Sequence, residues 1–366
     1  MSFAARGNGP LRRWVSLSGR APRSVRPSSS LSERFHQELT TRRLPLIYDY
    51  LSPQPSHLLN LSLVGYVPEL APETSLGDAG GILPLISSPS RMAVGHHLVY
   101  FPPQVTLSQL LPDGTDVLHT PGEPFNRRMW AGGRVRFPQQ GGPLLDGRRA
   151  VCIEGIRDVK VKGLDGQEKI FVGIERRVAT VGEQETEEKI RSRVWQASEE
   201  DFGDAEIIER RDLVFLREKT PEQLQNDKAS FSKGGRIVKP PSDPELSFKL
   251  RPNKALLFRY SALTFNAHSI HLDKSYAQDV EGYRNLLVHG PLSLTLLLTV
   301  LRCHLYKLGR VIRDIEYRNL APLYVCEEMT ICAKPKRGLD TNQWEVWIAG
   351  EDGGLTVRGT VRTSEL

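Results

Sequence analysis

Two histidines, His268 and His271, lie three residues apart in "TFNAHSIHLDKSYA", residues 264–277. Histidine is the side chain most easily tuned to accept and return a proton near neutral pH. The pair therefore reads as proton-handling, metal-binding or merely exposed. A zinc site needs three or four ligands, and His/Cys spacing normally announces some of them. There is no HExxH, and Asp273 is the only adjacent acid. Cys152, Cys303, Cys326 and Cys332 form no CxxC pair, which speaks against structural zinc and a disulfide framework. No metal and no cofactor are expected. There is no GxSxG elbow. Cys303 adjoins His304, but helix neighbours point in different directions. No GxxxxGK[ST] appears, and no GxGxxG follows a strand. General acid–base chemistry remains.

Acid–base chemistry next to a carbonyl needs a base in a cleft, a donor for the developing oxyanion and excluded water. "VHGPLSLTLLL", residues 288–298, offers the donor. Gly290 and Pro291 sit where an apolar helix should begin, and proline favours that position. A helix N-terminus presents unpaired N–H groups and the positive end of the dipole. Glycine lets a carbonyl approach the backbone closely.

The elements that must hold these residues follow from periodicity. The apolar run 286–301 is short for a membrane span of about 20 residues and reads as a buried core helix. Residues 31–44 suggest a short amphipathic helix ending before Pro45. The prolines of "DYLSPQPSHLLNL" (49–61) predict a break in regular structure, and 72–97 an irregular connection. From about residue 130 apolar and polar positions alternate, and Asp-Gly in "LDGQ" (164–167) predicts a hairpin. Residues 206–216 suggest a further strand, and 219–247 a linker or surface loop. The chain ends in strand-like segments with a second hairpin at "EDGG" (351–354). A helix this apolar needs burial on most sides. A curved antiparallel sheet wrapped round it, an α+β arrangement, would provide that.

The formal net charge of +6 does not imply a nucleic-acid partner. Residues 1–30 hold six arginines and no acid, so the remainder is balanced. An Arg- and Ser-rich, acid-free opening is the pattern of a mitochondrial transit peptide. The expected location is the mitochondrial matrix, without stable membrane insertion.

"YSALTFNAHSIHLDKSYA" followed by "VHGPL" resembles the hydratase motif of the hot-dog fold, found in MaoC-like (R)-specific enoyl-thioester hydratases. That motif runs aromatic, aliphatic, small, Gly-Asp-x-Asn-Pro-aliphatic-His, then a small residue. Tyr260, Leu263, Thr264, Ile270, His271 and Ala277 match it in register. Phe265, Asn266, His268 and Ser269 replace its Gly, Asp, Asn and Pro. With "RRMWAGGRVRF" (127–137), the variant is similar to a subgroup holding fungal mitochondrial 3-hydroxyacyl-thioester dehydratases and bacterial mesaconyl-C4-CoA hydratases. The resemblance implies a double hot-dog, two antiparallel sheets each wrapped round a central helix. It places a degenerate N-terminal hot-dog at 31–218, a linker at 219–247 and a catalytic hot-dog at 248–366.

The implied reaction is reversible water loss from a 3-hydroxyacyl thioester. His271 falls on the catalytic histidine and Gly290 in the oxyanion-hole region. Asn266 replaces the catalytic Asp; it can orient a hydroxyl but cannot act as a base. His268, His289, Trp130 and Arg134 are the expected substrate contacts, with Arg128 in the same N-terminal patch. The implied partner is acyl carrier protein or a CoA thioester, with Arg259, Lys274 and Arg284 as a candidate docking rim. A monomer and a homodimer are both compatible. Hydration of a CoA-bound unsaturated diacid and non-catalytic thioester binding stay open as alternatives.

Overall fold

The computed structural model describes residues 29–67, 82–138, 141–231, 237–336 and 342–366. Residues 1–28 of the expected leader and 72–81 of the expected connection lie outside the described residues. Among the described residues, ten strands form one antiparallel sheet. They are β1 Ile47–Tyr50, β2 Arg127–Arg136, β3 Arg149–Lys162, β4 Lys169–Thr180, β5 Ile207–Leu216, β6 Leu246–Leu250, β7 Arg310–Asn319, β8 Met329–Pro335, β9 Gln343–Ala349 and β10 Leu355–Glu365. Both expected hairpins are present, as β3–β4 and β9–β10.

The strand order is β1-β3-β4-β5-β2-β7-β10-β9-β8-β6. Numbering the strands within each half gives 1-3-4-5-2 for the first and the mirrored 2-5-4-3-1 for the second. The halves share one topology and meet through their second strands. That seam pairs Gly132 with Arg318 and runs antiparallel to Arg136 with Asp314.

The halves differ in what the sheet wraps. In the second, β6 and β7 are joined through α5 Lys254–Thr264, α6 Lys274–Asp279 and α7 Gly290–Lys307. α7 starts four residues after the apolar run begins, at Gly290 with Pro291 in its first turn. Proline there removes no intrahelical hydrogen bond, since that N–H has no helical partner. Leu296, Leu297 and Leu298 are fully buried against the sheet. In the first half, β1 and β2 are joined by α2 Gln54–Leu63 and two short 3₁₀ turns, His96–Val99 and Leu107–Gln109, among the described residues. The prolines expected to break structure instead start α2, with Pro53 at its N-cap and a proline in its first turn.

α1 Ser29–Thr40 and α3 Glu187–Val194 pack on opposite faces of the N-terminal sheet. Phe35 and Leu39 of α1 join Val172 and Leu213, whereas Ile190 and Val194 of α3 join Val151 and Ile153. The stretch 219–247, expected as a linker, contains the helix α4 Pro221–Ser230 and the start of β6. Thr220 caps α4 in a reciprocal box with Gln223. No described helix is long and apolar enough to cross a membrane.

Truncating Leu296 to Ala removes apolar contacts at the fully enclosed centre of α7. The expected loss of unfolding free energy is roughly 2–5 kcal/mol. Urea denaturation of the two proteins measures it; a loss under about 1 kcal/mol would contradict so tight a core.

Candidate active site

α5 begins on Asn253, whose side chain accepts from Leu256 N at 2.9 Å, and ends at Phe265 in left-handed backbone, φ 53°. The motif's glycine belongs at that position because left-handed backbone is cheap only for glycine. Asn266 Oδ1 then accepts from His268 N at 3.0 Å, tightening the turn into the 3₁₀ segment Ser269–His271. Asp273 closes the segment by capping α6, accepting from Tyr276 N at 3.1 Å. Its carboxylate serves as a cap and buttresses neither histidine.

His271 is buried, and its Nδ1 donates to Leu287 O at 2.8 Å. A carbonyl only accepts, so this bond fixes the proton on Nδ1 and leaves the Nε2 lone pair open. The ring stacks on His289, with centroids 3.7 Å apart and planes at 23°. His289 is itself held by Ser261 Oγ at 2.8 Å from its Nε2. The residue after His289 is Gly290, the first of α7, so the stack sets His271 beside the helix N-terminus. Among the described residues, the Gly290 and Leu292 N–H groups belong to the end of α7 that lacks intrahelical partners. A Cβ on Gly290 would stand 2.9 Å from Trp130 Cβ and 3.1 Å from Asn319 Nδ2.

These groups border a cavity of about 1060 Å³. His271, His268, Asn266, Gly290 and Trp130 all line it. Trp130 is fixed by its indole N–H on Tyr317 OH at 2.7 Å and by Asn319 Nδ2 on its carbonyl at 2.9 Å. His289 does not line the cavity; it backs His271 from behind, so the expected substrate contact is replaced by ring stacking. Arg134 does not join the site either. Its Nε bonds Asp314 at 2.8 Å and its Nη1 bonds Glu200 at 3.1 Å, outside the cavity. Arg128 lines the cavity in its stead, paired with Asp116 at 2.9 Å. Of the expected docking rim, Arg259 and Lys274 are exposed, while Arg284 is paired with Glu327.

The N-terminal half contributes more than the sequence reading assigned. Leu98, Tyr100 and Phe101, in and after the short 3₁₀ turn, line the cavity together with Ile174 and Leu213 of the sheet. The cavity is therefore walled by both halves of the sheet. Glu154, Arg176 and Arg211 also face it. Arg176 Nε lies 2.6 Å from Glu154 and its Nη1 3.2 Å from Glu209. Arg211 Nε bonds Glu209 at 2.7 Å, and its guanidinium lies 4.9 Å from the centre of the Trp130 ring. The available signal was a charged residue at an inward position of otherwise apolar alternation, as in "VCIEGI" and "GIERRVA". Asp113 was also missed. It sits in the turn "LPDGTD", where an acid before glycine reads as ordinary turn chemistry.

Burial pushes the His271 imidazole down to about 4; the Leu287 bond resists this and Arg128 adds to it. Burial, together with repulsion from the neighbouring histidines, takes His289 well below its ordinary value. Burial does the same to His268, helped by His271 and Arg128. All three are neutral at pH 7.

A sequence model of the family described as "Hydroxyacyl-thioester dehydratase type 2" matches residues 95–325. The mesaconyl-C(4)-CoA hydratase of Chloroflexus aurantiacus is 32% identical over 267 residues, covering 72% of this chain and 81% of that one. The mitochondrial hydroxyacyl-thioester dehydratase type 2 of Schizosaccharomyces pombe is 27% identical over 87% of this chain and 98% of its own. Among solved structures, a MaoC-like dehydratase from Phytophthora capsici superposes with a TM-score of 0.56 at 11% identity, over 90% of this chain and 99% of that chain. It shows the hot-dog fold.

Buried neutral histidines make stability depend on pH. His96 is pushed down to about 3 and His97 to about 4, both chiefly by burial, and His271 joins them at about 4. The unfolded chain takes up their protons near 6.5, before the folded one can. Stability is therefore full above pH 6.5 and falls as pH drops through the window toward 4, by up to about 1.4 kcal/mol per pH unit for each histidine. Thermal melts between about pH 7 and 5 should show a steep fall in Tm. A flat profile would mean that these histidines gain protons in the folded state as readily as in the unfolded one.

Proposed function

The chain belongs to the hydroxyacyl-thioester dehydratase type 2 family, a family of hydro-lyases, and on that premise we propose that it dehydrates (3R)-3-hydroxyacyl thioesters reversibly to trans-2-enoyl thioesters. The proposed carrier is acyl carrier protein, and the setting mitochondrial type II fatty-acid synthesis in the matrix. Two of the relatives are named as mitochondrial enzymes, and the acid-free, arginine-rich opening fits the same location. The exposed Arg259 and Lys274 fit an acidic carrier.

The observation that carries the reading is the tautomer of His271. With Nδ1 committed to Leu287 O, the free Nε2 faces a cavity that also contains the start of α7. A thioester carbonyl held by the N–H groups there is polarised, which acidifies the α-proton. His271 Nε2 takes that proton, and negative charge moves onto the thioester oxygen. As the enolate collapses, the C3–O bond breaks and the imidazolium returns its proton to the leaving oxygen, releasing water. One neutral histidine suffices, because the proton it takes is the proton it gives back.

A second reading, hydration of a CoA-bound unsaturated diacid, gains support from Arg176 and Arg211 facing the cavity. Those charges are partly spent on Glu154 and Glu209, which keeps it second.

Hydration of crotonyl-CoA, followed as loss of enoyl-thioester absorbance, tests the reaction. His271→Ala should lower kcat by about 10²–10⁴-fold with the fold retained. Thioester binding without turnover in the wild type would instead support a non-catalytic acyl-thioester binder. Gly290→Ala forces a methyl group against Trp130 and Asn319. The displaced N–H should cost about 10²–10³-fold in kcat. Unchanged kcat in that variant would remove the helix N-terminus from the mechanism.

A further inference from the structure

We propose that Asp113 and His268 form a dyad across the two halves that holds the reacting hydroxyl or water in place for His271. The inference rests on the hydro-lyase reading above. Asn266 stands where the hydratase motif has its acid, and its Oδ1 is occupied by His268 N. The second half therefore brings no carboxylate from the motif to the histidines. The first half brings one. The turn around Gly114, φ 82°, presses against the motif loop so closely that a Cβ there would stand 2.1 Å from Ala267 O. Ser269 N donates to Asp113 O at 2.8 Å, locking turn to loop.

The Asp113 carboxylate is buried. Its Oδ1 accepts from Thr115 N at 2.9 Å and Thr115 Oγ1 at 2.7 Å. Its Oδ2 lies 3.4 Å from His268 Nε2. Both atoms are buried, and neither has a hydrogen-bond partner among the described residues, so the pair faces across 3.4 Å without a formed bond. Buried polar atoms are rarely left unpaired, and catalytic hydrogen bonds tighten when substrate binds. A carboxylate only accepts, so Asp113 selects the tautomer of His268 protonated on Nε2. The other ring nitrogen, Nδ1, is left as an acceptor toward the cavity that His268 lines. The ring lies edge-on to His271, with centroids 5.5 Å apart.

The step balances without a co-reactant. The substrate hydroxyl donates its own hydrogen to His268 Nδ1 and turns its lone pair to His271. His271 moves the α-proton onto that oxygen as the C3–O bond breaks. The dyad ends as it began. His268 touches the reacting oxygen; Asp113 is a positioning residue that acts through it.

Two reactions of the full chain separate this role from a structural one. Crotonyl-CoA hydration needs the hydroxyl held; α-proton exchange of butyryl-CoA in D₂O needs only His271 and the polarised carbonyl. Asp113→Asn is isosteric but can donate to Nε2 and select the wrong tautomer, so kcat for hydration should fall about 100-fold with KM within about threefold. The ratio of hydration to exchange should fall at least about tenfold in Asp113→Asn and His268→Ala. His268→Gln, whose amide oxygen still accepts, should lose less than His268→Ala. Equal proportional loss of both reactions, unchanged hydration in Asp113→Asn, or equal loss in His268→Gln and His268→Ala would overturn the dyad alone. A wild type that neither hydrates nor exchanges would overturn the hydro-lyase reading, and the dyad with it.

Discussion

The arrangement depends on the antiparallel pairing of β2 with β7, which joins two sheets of like topology into one. Every backbone hydrogen bond across that seam fixes the second half relative to the first, leaving no free edge at the join. The register matters as much as the pairing. It sets Gly132 and Gly133 of β2 opposite Arg318 and Tyr317 of β7. Trp130, just before them, then reaches Tyr317 and Asn319 with its indole and its carbonyl. Because side chains alternate along a strand, a slip of one residue would turn Trp130 to the other face. The wall of the cavity and the start of α7 are thus a single packed unit, and the side-chain-free Gly290 is what lets them meet.

The two halves spend their concave faces differently. In the second, Leu296, Leu297 and Leu298 of α7 fill the curve of the sheet. In the first, α1 covers part of that face at Val172 and Leu213, and the rest borders the cavity together with Leu98, Tyr100 and Phe101. A surface lining space need not be apolar, and this one carries Glu154, Arg176 and Arg211 on β3, β4 and β5, with Glu209 paired to both arginines. Burial alone would raise the Glu209 carboxyl. Arg211 and Arg176 more than offset it and hold the group down at about 2. Such a network is weak evidence for added stability, since desolvation consumes most of the attraction. Its consequence is for the cavity, whose far wall stays charged and hydrogen-bonded.

Much of this was legible in the sequence where the signal is local. The helix start at Gly290-Pro291, the hairpins at Asp165-Gly166 and Asp352-Gly353, and the motif around His271 each depend on a few neighbouring residues. The failures have the opposite character. Pro53 and Pro55 read as breakers because proline ends most elements; they began α2 because the first turn of a helix tolerates it. Arg134 looked like a substrate contact from its place in "RRMWAGGRVRF", yet β2 is bulged between Trp130 and Gly132. Beyond that bulge Arg134 meets Asp314 and Glu200. His289 was expected among the substrate contacts, yet its ring stacks on His271 and does not line the cavity. A partner distant in sequence, such as Asp113 for His268, leaves no periodic trace at all.

That distance in sequence has a physical consequence. A hydrogen bond between His271 and Leu287 is local to one half. The contact between Asp113 and His268, and the wall that Trp130 provides, exist only once the seam has formed. The proposed base can therefore be held before the proposed dyad is assembled. Closing the sheet adds the first half's turn to the second half's loop through Ser269 N and Asp113 O, and brings the two walls of the cavity together. Where a bound substrate displaces water from that site, each fixed dipole in it gains strength. Two sheets of one topology thus share a single site: the second half brings the N-terminus of α7 and His271, and the first supplies much of the wall.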